Sequence, residues 1–324
     1  MREAYLGIDT SCYTTSVMLL DREGKPVSEA RRILKVKPGN CGLQQSEMVY
    51  QHTRNLPDLM EEALRDKEIR LLGIGVSAWP RPREDSYMPA FLAGQGLARS
   101  LAALHRIPLW QISHQENHLE AAVWSAGGPD ARRFLMLHAS GGTTDLMLAE
   151  RDGGDDPSAC AGSWRLTEVG GSPDLHAGQL VDRVGVALGL QFPAGPALEK
   201  LAEEHEAITE LPVSVRGTSV SFSGPCTAAL RKQAAGEPAA DLAAGVQYML
   251  GESFTRLLRN AAAEHGVRDV ILAGGVSSNK TIRKHVEEKL AKRRIRVWVP
   301  EPRYSCDNAA GCASYARRQG ENHG

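Results

Sequence analysis

The sequence predicts a duplicated α/β architecture, and three observations carry that expectation. The first is an internal echo. Residues 5–20 read Tyr-Leu-Gly-Ile-Asp-Thr-Ser-Cys-Tyr-Thr-Thr-Ser-Val-Met-Leu-Leu, and residues 134–149 read Phe-Leu-Met-Leu-His-Ala-Ser-Gly-Gly-Thr-Thr-Asp-Leu-Met-Leu-Ala. In register, Ser11 matches Ser140, Thr14-Thr15 matches Thr143-Thr144, and Met18-Leu19 matches Met147-Leu148. Each copy is an apolar run, a small polar turn and a second apolar run, the pattern of a β-hairpin. The alternative, chance likeness between two ordinary hairpins, stays open over so short a window. The second observation is that helical and buried-strand patterns alternate after each hairpin, as βα units require. The third is Ala273-Gly274-Gly275-Val276-Ser277-Ser278-Asn279, a strand end, a glycine turn and a helix start in succession.

The elements follow in order. Residues 44–66 set Met48, Leu56, Leu59, Met60 and Leu64 at helical spacing, and 71–77 reads as a buried strand. Residues 88–104 predict a helix, Pro108–Ile112 a short strand, and 114–125 a further helix. In the second half, 176–188, 195–206 and 240–265 read as helices and Asp269–Ala273 as a buried strand. Helix 279–293, strand Val297–Val299 and helix 307–318 complete the pattern. The loop signal Gly127-Gly128-Pro129-Asp130 places the boundary near 126–132. This divides the chain into 1–128 and 129–324, with a cleft between the halves and the C-terminal helix free to pack back on the first. Segment 150–163 is a polar excursion that reads as a hairpin tip or mobile loop.

Composition narrows the class of protein. A chain of 324 residues suits two lobes of ordinary size. The net charge of −1, from 38 basic and 39 acidic side chains, excludes a polycation but leaves room for a local basic face. Lys289, Lys292, Arg293, Arg294 and Arg296 form one such cluster at a helix end, where a basic group also complements the helix dipole. No apolar run approaches the ~18 residues of a membrane span, and the N-terminus lacks a signal-peptide pattern. The six cysteines are scattered with no Cys-x-x-Cys pair, which predicts free thiols and a cytoplasmic protein without a membrane partner.

Several groups can carry chemistry. His114-Gln115-Glu116-Asn117-His118 sets two imidazoles at i and i+4, about 5–6 Å apart at Cβ on one helix face. They can hold one divalent ion if a third ligand arrives from elsewhere, or simply sit on a helix surface. The zincin pattern is excluded because the Glu does not follow the first His directly. Ser140-Gly141-Gly142 lets backbone N–H groups approach an anion, or is an ordinary glycine turn. Asn279 can cap its helix or bind a ligand, and Asp182 sits within a helix where a solvated carboxylate is usual. Phe192-Pro193-Ala194-Gly195-Pro196 opens a helix containing Glu199. Asp307-Asn308 opens the last helix, with Asp307 as its N-cap or as the third metal ligand.

Taken together and in order, these motifs resemble the TsaD family, which makes N6-threonylcarbamoyladenosine in tRNA. Gly7-Ile8-Asp9-Thr10-Ser11-Cys12 is similar to the family's Gly-Ile-Glu-Thr-Ser-Cys. His114 to His118 is similar to its His-x-x-x-His, Ser140-Gly141-Gly142 to its Ser-Gly-Gly, and Ser221-Phe222-Ser223-Gly224 to its Phe-Ser-Gly. Ala273 to Asn279 and Asp307-Asn308 match its late motifs. The resemblance implies an actin-like fold of the sugar kinase and Hsp70 type, with two ribonuclease H-like lobes. It implies one divalent metal, Fe(II) or Zn(II), on His114, His118 and Asp307. It implies an adenine nucleotide, threonylcarbamoyl-AMP or ATP, lined by His138, Ala139, Ser140, Gly141, Gly142, Asp182, Gly195, Glu199 and Asn279. It also implies tRNA as acceptor and partner proteins of a threonylcarbamoylation complex.

The departures fall in both halves and include Gln179-Leu180-Val181-Asp182-Arg183 for the family's Glu-Ala-Phe-Asp-Lys and Cys226 for the Lys after its Phe-Ser-Gly-Leu. The family's Cys-Asp-Glu-Thr reads Cys12-Tyr13-Thr14-Thr15, so two carboxylates are missing. Its Ala-Gly-Pro-Gly turn reads Ala78-Trp79-Pro80-Arg81-Pro82, and the His after Ser-Gly-Gly is Thr143. No catalytic side chain is therefore assigned. The expected activity is transfer of a threonylcarbamoyl group to N6 of adenosine 37 of tRNA. The alternatives are a related carbamoyl or acyl transferase with another acceptor, and a non-catalytic nucleotide-binding subunit.

Overall fold

The computed structural model describes residues 1–36, 43–83, 85–151 and 164–322, and within them the chain forms two compact units. The first comprises Met1–Gly127 and the residues from Cys306 onward; the second comprises Gly128–Arg151 and Trp164–Ser305. Most of the polar excursion at 150–163 lies outside the described residues.

The first unit opens with strands β1 (Arg2–Asp9), β2 (Thr14–Leu20) and β3 (Pro26–Ile33). Helix α1 (Gln45–Leu64), strand β4 (Ile69–Trp79), helix α2 (Phe91–His105), strand β5 (Leu109–Ser113) and helix α3 (His114–Ala126) follow. The sheet order is β3-β2-β1-β4-β5, with β2 antiparallel and β4 parallel to β1. Alternation along β1 sorts its two faces. Ala4, Leu6 and Ile8 share a core with Leu56, Leu59 and Ala63 of α1 and with Ala98 and Ala102 of α2.

In the second unit come β6 (Arg133–Ala139), β7 (Thr144–Arg151) and β8 (Trp164–Gly171), then α4 (Ala177–Ala187) and α5 (Gly195–Ala202). Two short strands, β9 (Val215–Arg216) and β10 (Ser219–Val220), precede α6 (Ser223–Ala234) and the long α7 (Ala239–His265). Strand β11 (Asp269–Ala273), helix α8 (Lys280–Ala291) and strand β12 (Arg296–Trp298) complete it. The sheet order is β12-β11-β6-β7-β8-β10-β9. Its core joins Leu135, Leu137 and Ala139 of β6 to Leu180 and Val184 of α4 and to Phe254 and Leu258 of α7.

The last helix, α9 (Ala310–Asn322), belongs to the first unit. It covers the other face of that sheet. A Cβ on Gly7 would meet the Ala309 carbonyl oxygen at 2.2 Å, and one on Gly75 the Cys312 carbonyl oxygen at 2.0 Å. Only glycine lets backbone approach backbone that closely.

The echo seen in the sequence is a structural repeat. In the first hairpin Tyr5 pairs with Leu20 and Asp9 with Ser16; in the second Phe134 pairs with Ala149 and His138 with Asp145. The spacing of 129 residues is the same for every partner. The central strand order recurs as well, β3-β2-β1-β4-β5 in one unit and β8-β7-β6-β11-β12 in the other.

Three expectations need correction. Strands β3 and β8 and helix α6 were not anticipated. The helix expected over 195–206 stops at Ala202. The last helix starts at Ala310, where Asn308 Oδ1 accepts the Ala310 N–H at 2.8 Å, so Asp307 is not its N-cap.

Candidate functional site

The site in the first unit starts from a capping box. Ser113 Oγ accepts the Glu116 N–H at 3.2 Å, and Glu116 Oε2 accepts the Ser113 N–H at 2.7 Å. This fixes the start of α3 at His114, so His118 stands one turn later on the same face. Asn117, between them in sequence, is fully buried; its Nδ2 donates to the Asn308 carbonyl at 2.7 Å and its Oδ1 accepts the Cys312 N–H at 2.8 Å. That clamp draws the segment before α9 against α3 and brings Asp307 to the two imidazoles.

The three donors converge. His114 Nε2 and His118 Nε2 are 3.0 Å apart, and Asp307 Oδ1 lies 3.6 Å from the first and 3.5 Å from the second. A triangle with these sides has a circumradius of about 2.0 Å, which is the length of a zinc–imidazole or zinc–carboxylate bond. Burial, and then the neighbouring His118, push the pKa of His114 down to about 3, against the opposing pull of Asp307. Its imidazole is therefore neutral near pH 7 and its lone pair is available to a metal. His114 Nδ1 is buried with no hydrogen-bond partner. Two imidazoles and one carboxylate form a donor set that suits Fe(II) or Zn(II) and leaves coordination positions open.

Next to these ligands, Asp9 is fully buried and accepts hydrogen bonds from the hydroxyls of Ser77 and Ser11 and from the Ser11 N–H. Burial, followed by the Asp307 charge, pushes its pKa up to about 6. Cys12 in the following turn has a left-handed backbone, φ 45°. His52 supports that turn, with Nδ1 2.9 Å from Thr15 Oγ1 and Nε2 3.3 Å from the Cys12 carbonyl. Sequence reasoning missed both Asn117 and His52. Nothing in local spacing marks His52 or the burial of Asn117, whose partners Asn308 and Cys312 lie far along the chain.

In the second unit, the residues that the resemblance assigns to an adenylate lie along a ring of four hydrogen bonds. The Gly178 N–H of α4 donates to the Ser140 carbonyl of the β6–β7 turn at 3.1 Å. Asp182 Oδ1, further along α4, accepts the Ala194 N–H at 2.8 Å, just before Gly195 opens α5. Glu199 Oε1 of α5 accepts the Lys280 N–H of α8 at 2.8 Å. The Val276 N–H of the glycine turn returns to the Ala139 carbonyl at 3.0 Å. Gly274 takes φ +93° there, and a Cβ on it would meet the Ala139 oxygen at 2.3 Å.

Inside this ring His138 Nδ1 is 3.1 Å from Thr143 Oγ1, which is 2.9 Å from Ser140 Oγ. A Cβ on Gly141, Gly142 or Gly275 would meet nothing within 4 Å, so these backbones face open space. Ser277 is 1% exposed and its hydroxyl has no hydrogen-bond partner. The start of α8 is already occupied: besides Glu199, Asn279 Oδ1 caps it by accepting the Ile282 N–H at 2.9 Å. An anion is therefore better received by the glycine turns than by that helix end. Burial raises the Asp182 pKa, against the Ala194 N–H.

The two-sheet architecture defines the class first: an actin-like fold of two ribonuclease H-like lobes. The activator of the 2-hydroxyisocaproyl-CoA dehydratase from Clostridium difficile superposes with a TM-score of 0.55 at 15% identity, over 99% of this chain and 96% of that one. The family model described as "tRNA N6-adenosine threonylcarbamoyltransferase" matches residues 42–314, and this chain belongs to that family, TsaD. Among its relatives, the tRNA N6-adenosine threonylcarbamoyltransferase of Thermus thermophilus is 34% identical over 97% of this chain and 92% of that protein. The enzyme of the same name from Methanopyrus kandleri is 30% identical over 94% of this chain and 84% of that protein. The family is one of acyltransferases acting on tRNA. Among the described residues, no helix is long and apolar enough to cross a membrane.

Proposed function

We propose that this chain transfers a threonylcarbamoyl group from threonylcarbamoyl-AMP to N6 of adenosine 37 of tRNA, with one divalent metal on His114, His118 and Asp307. The observation that carries the reading is the convergence of those three donors at a common bonding distance. When bound, Fe(II) or Zn(II) supplies Lewis-acid polarisation of the carbamoyl–phosphate group. The reaction forms a bond between N6 and the carbamoyl carbon, breaks that carbon's bond to the phosphate oxygen, and releases AMP and the N6 proton.

The chain's own residues bind and orient. The open backbones of Gly141, Gly142 and Gly275 receive phosphate oxygens, and the unpartnered Ser277 hydroxyl adds a donor. Glu199 is an acceptor only, so it faces a ribose hydroxyl rather than a phosphate. Positioning of this kind is a large part of any transfer between two bound substrates. Partner proteins of a threonylcarbamoylation complex complete the system, in the cytoplasm.

One observation favours a second reading, a related transfer to another acceptor. The turn after Cys12 carries Tyr13, 39% exposed, and Thr14 where the family places two carboxylates. Mass analysis of tRNA nucleosides from cells lacking the gene separates the readings. Loss of threonylcarbamoyladenosine supports the first; an unchanged level in cells with no second copy of the enzyme rejects it.

A further inference from the structure

The basic cluster behind α8 is not accounted for by the helix dipole. Residues 280–296 hold eight Lys and Arg against two Glu, in a chain whose net charge is −1. Within α8, Arg283 lies 3.9 Å from Glu287 and Lys284 lies 4.0 Å from Glu288, so the acidic residues are used there. Arg296 is held on Asp269 at 2.9 Å. Lys289, Lys292, Arg293 and Arg294 are exposed and have no acidic partner among the described residues. The dipole acts over the last helical turn, which Lys289 already occupies. Lys292, Arg293 and Arg294 lie past the end of the helix, in the turn that leads to β12. Protection of an edge strand needs a charge on the strand, and Arg296 supplies it.

Arg294 and Arg296 border a groove of about 600 Å³ that Glu287, Ala291, Val297 and Trp298 also line. Trp298 is fixed in it by its Nε1–H bond to Asp269 at 2.8 Å.

We infer that this turn and groove are a docking surface for the phosphate backbone of RNA, with Lys292, Arg293 and Arg294 as phosphate contacts. The inference rests on the reading of tRNA as substrate and names a surface of the second unit that holds it. Successive exposed cations without acceptors of their own suit a line of phosphates. An acidic protein surface is the competing occupant.

The test uses the full chain and fluorescently labelled tRNA, with binding followed between about 50 and 200 mM salt. The variant Lys292→Gln, Arg293→Gln, Arg294→Gln should bind at least about tenfold more weakly at the low end. Its log–log salt slope should be shallower by about 3, one per phosphate contact removed. Lys292→Arg, which keeps the charge, should bind like the wild type. A tRNA affinity and slope unchanged in the triple variant overturn the surface, and leave the transfer reaction standing if the nucleoside analysis supports it. Polyglutamate that binds the wild type and is lost in the triple variant, while tRNA affinity and slope stay unchanged, assigns the surface to an acidic protein and overturns it too.

Discussion

Asp307 has two roles open to it in the sequence, and its neighbour removes one of them. Asn308 takes the N–H at the start of α9, which leaves the Asp307 carboxylate to face His114 and His118. The double variant His114→Ala, His118→Ala should purify folded and with much less bound iron and zinc than the wild type. Equal metal content in the two proteins rules the assignment out. The second residue-level prediction concerns Tyr13 and Thr14. A carboxylate placed to accept the N6 proton is typically worth ~10²–10⁴ in rate. A tyrosine with a pKa near 10 does this poorly at neutral pH. The wild type is therefore expected to modify tRNA slowly, and Tyr13→Asp with Thr14→Glu to speed it. A wild type as fast as the Thermus thermophilus enzyme, assayed alongside, refutes the argument from the missing carboxylates.

At the scale of elements, Asp174 shows how a motif can be legible while its cause is not. It accepts from the Ser221 hydroxyl at 2.6 Å and from the N–H groups of Leu175, Phe222 and Ser223, so the Phe-Ser-Gly match is the start of α6 held on one carboxylate. Burial pushes its pKa up, but the Ser221 hydroxyl and these N–H groups outweigh it and hold the carboxyl well below the usual range. A depressed folded-state pKa stabilises fully above the unfolded value and is lost as pH falls toward the folded one. Asp174→Ala should thus lose stability against the wild type at neutral pH, with the gap narrowing below about pH 4. Urea unfolding across that range checks it; a gap independent of pH would count against a charged role. The turn at Gly275 gives a matching ligand test. Because a Cβ there has no protein atom within 4 Å, Gly275→Val should fold normally, with unchanged far-UV circular dichroism, and bind AMP or ATP more weakly. Unchanged affinity removes the nucleotide from this turn.

The same scale shows what sequence could reveal. Both hairpins were legible because each strand is apolar on both faces and the copies share a register. Strand β3 was not, since Pro-Val-Ser-Glu-Ala-Arg-Arg-Ile is an edge strand that buries little and has a weak pattern. Helix α6 begins Ser-Gly-Pro, which reads as a turn, although proline is tolerated in a first helical turn. The grouping of His114, His118 and Asp307 was readable from spacing and family likeness. Asn117 and His52, which place them and the adjoining turn, act through contacts distant in sequence.

For the molecule as a whole, the repeat means that one strand plan serves two different turns. The first turn carries hydroxyls and a thiol at Ser11 and Cys12; the second carries bare backbone at Gly141 and Gly142. Helix α9 joins this plan from far along the chain. Its Ala310, Cys312, Ala313 and Ala316, and Ala309 just before it, are all buried, and they cover a sheet made some three hundred residues earlier. A chain ending at Ser305 should therefore keep the second unit protected from hydrogen exchange and lose protection in β1 and β4. Equal protection of β1 and β4 in the shortened and full chains would show that α9 is dispensable.

This arrangement also sets an order of events on the ribosome. When Gly127 has been made, the first unit has its five strands and three helices but lacks α9, and the segment that carries α9 starts at Cys306. At about 5–20 residues per second, roughly 10–35 s of synthesis separate the two. During that interval the first unit lacks the buried residues of α9 that pack on its sheet. The three donors cannot meet until Asp307 arrives, so the proposed site is completed only by one of the last segments to be made.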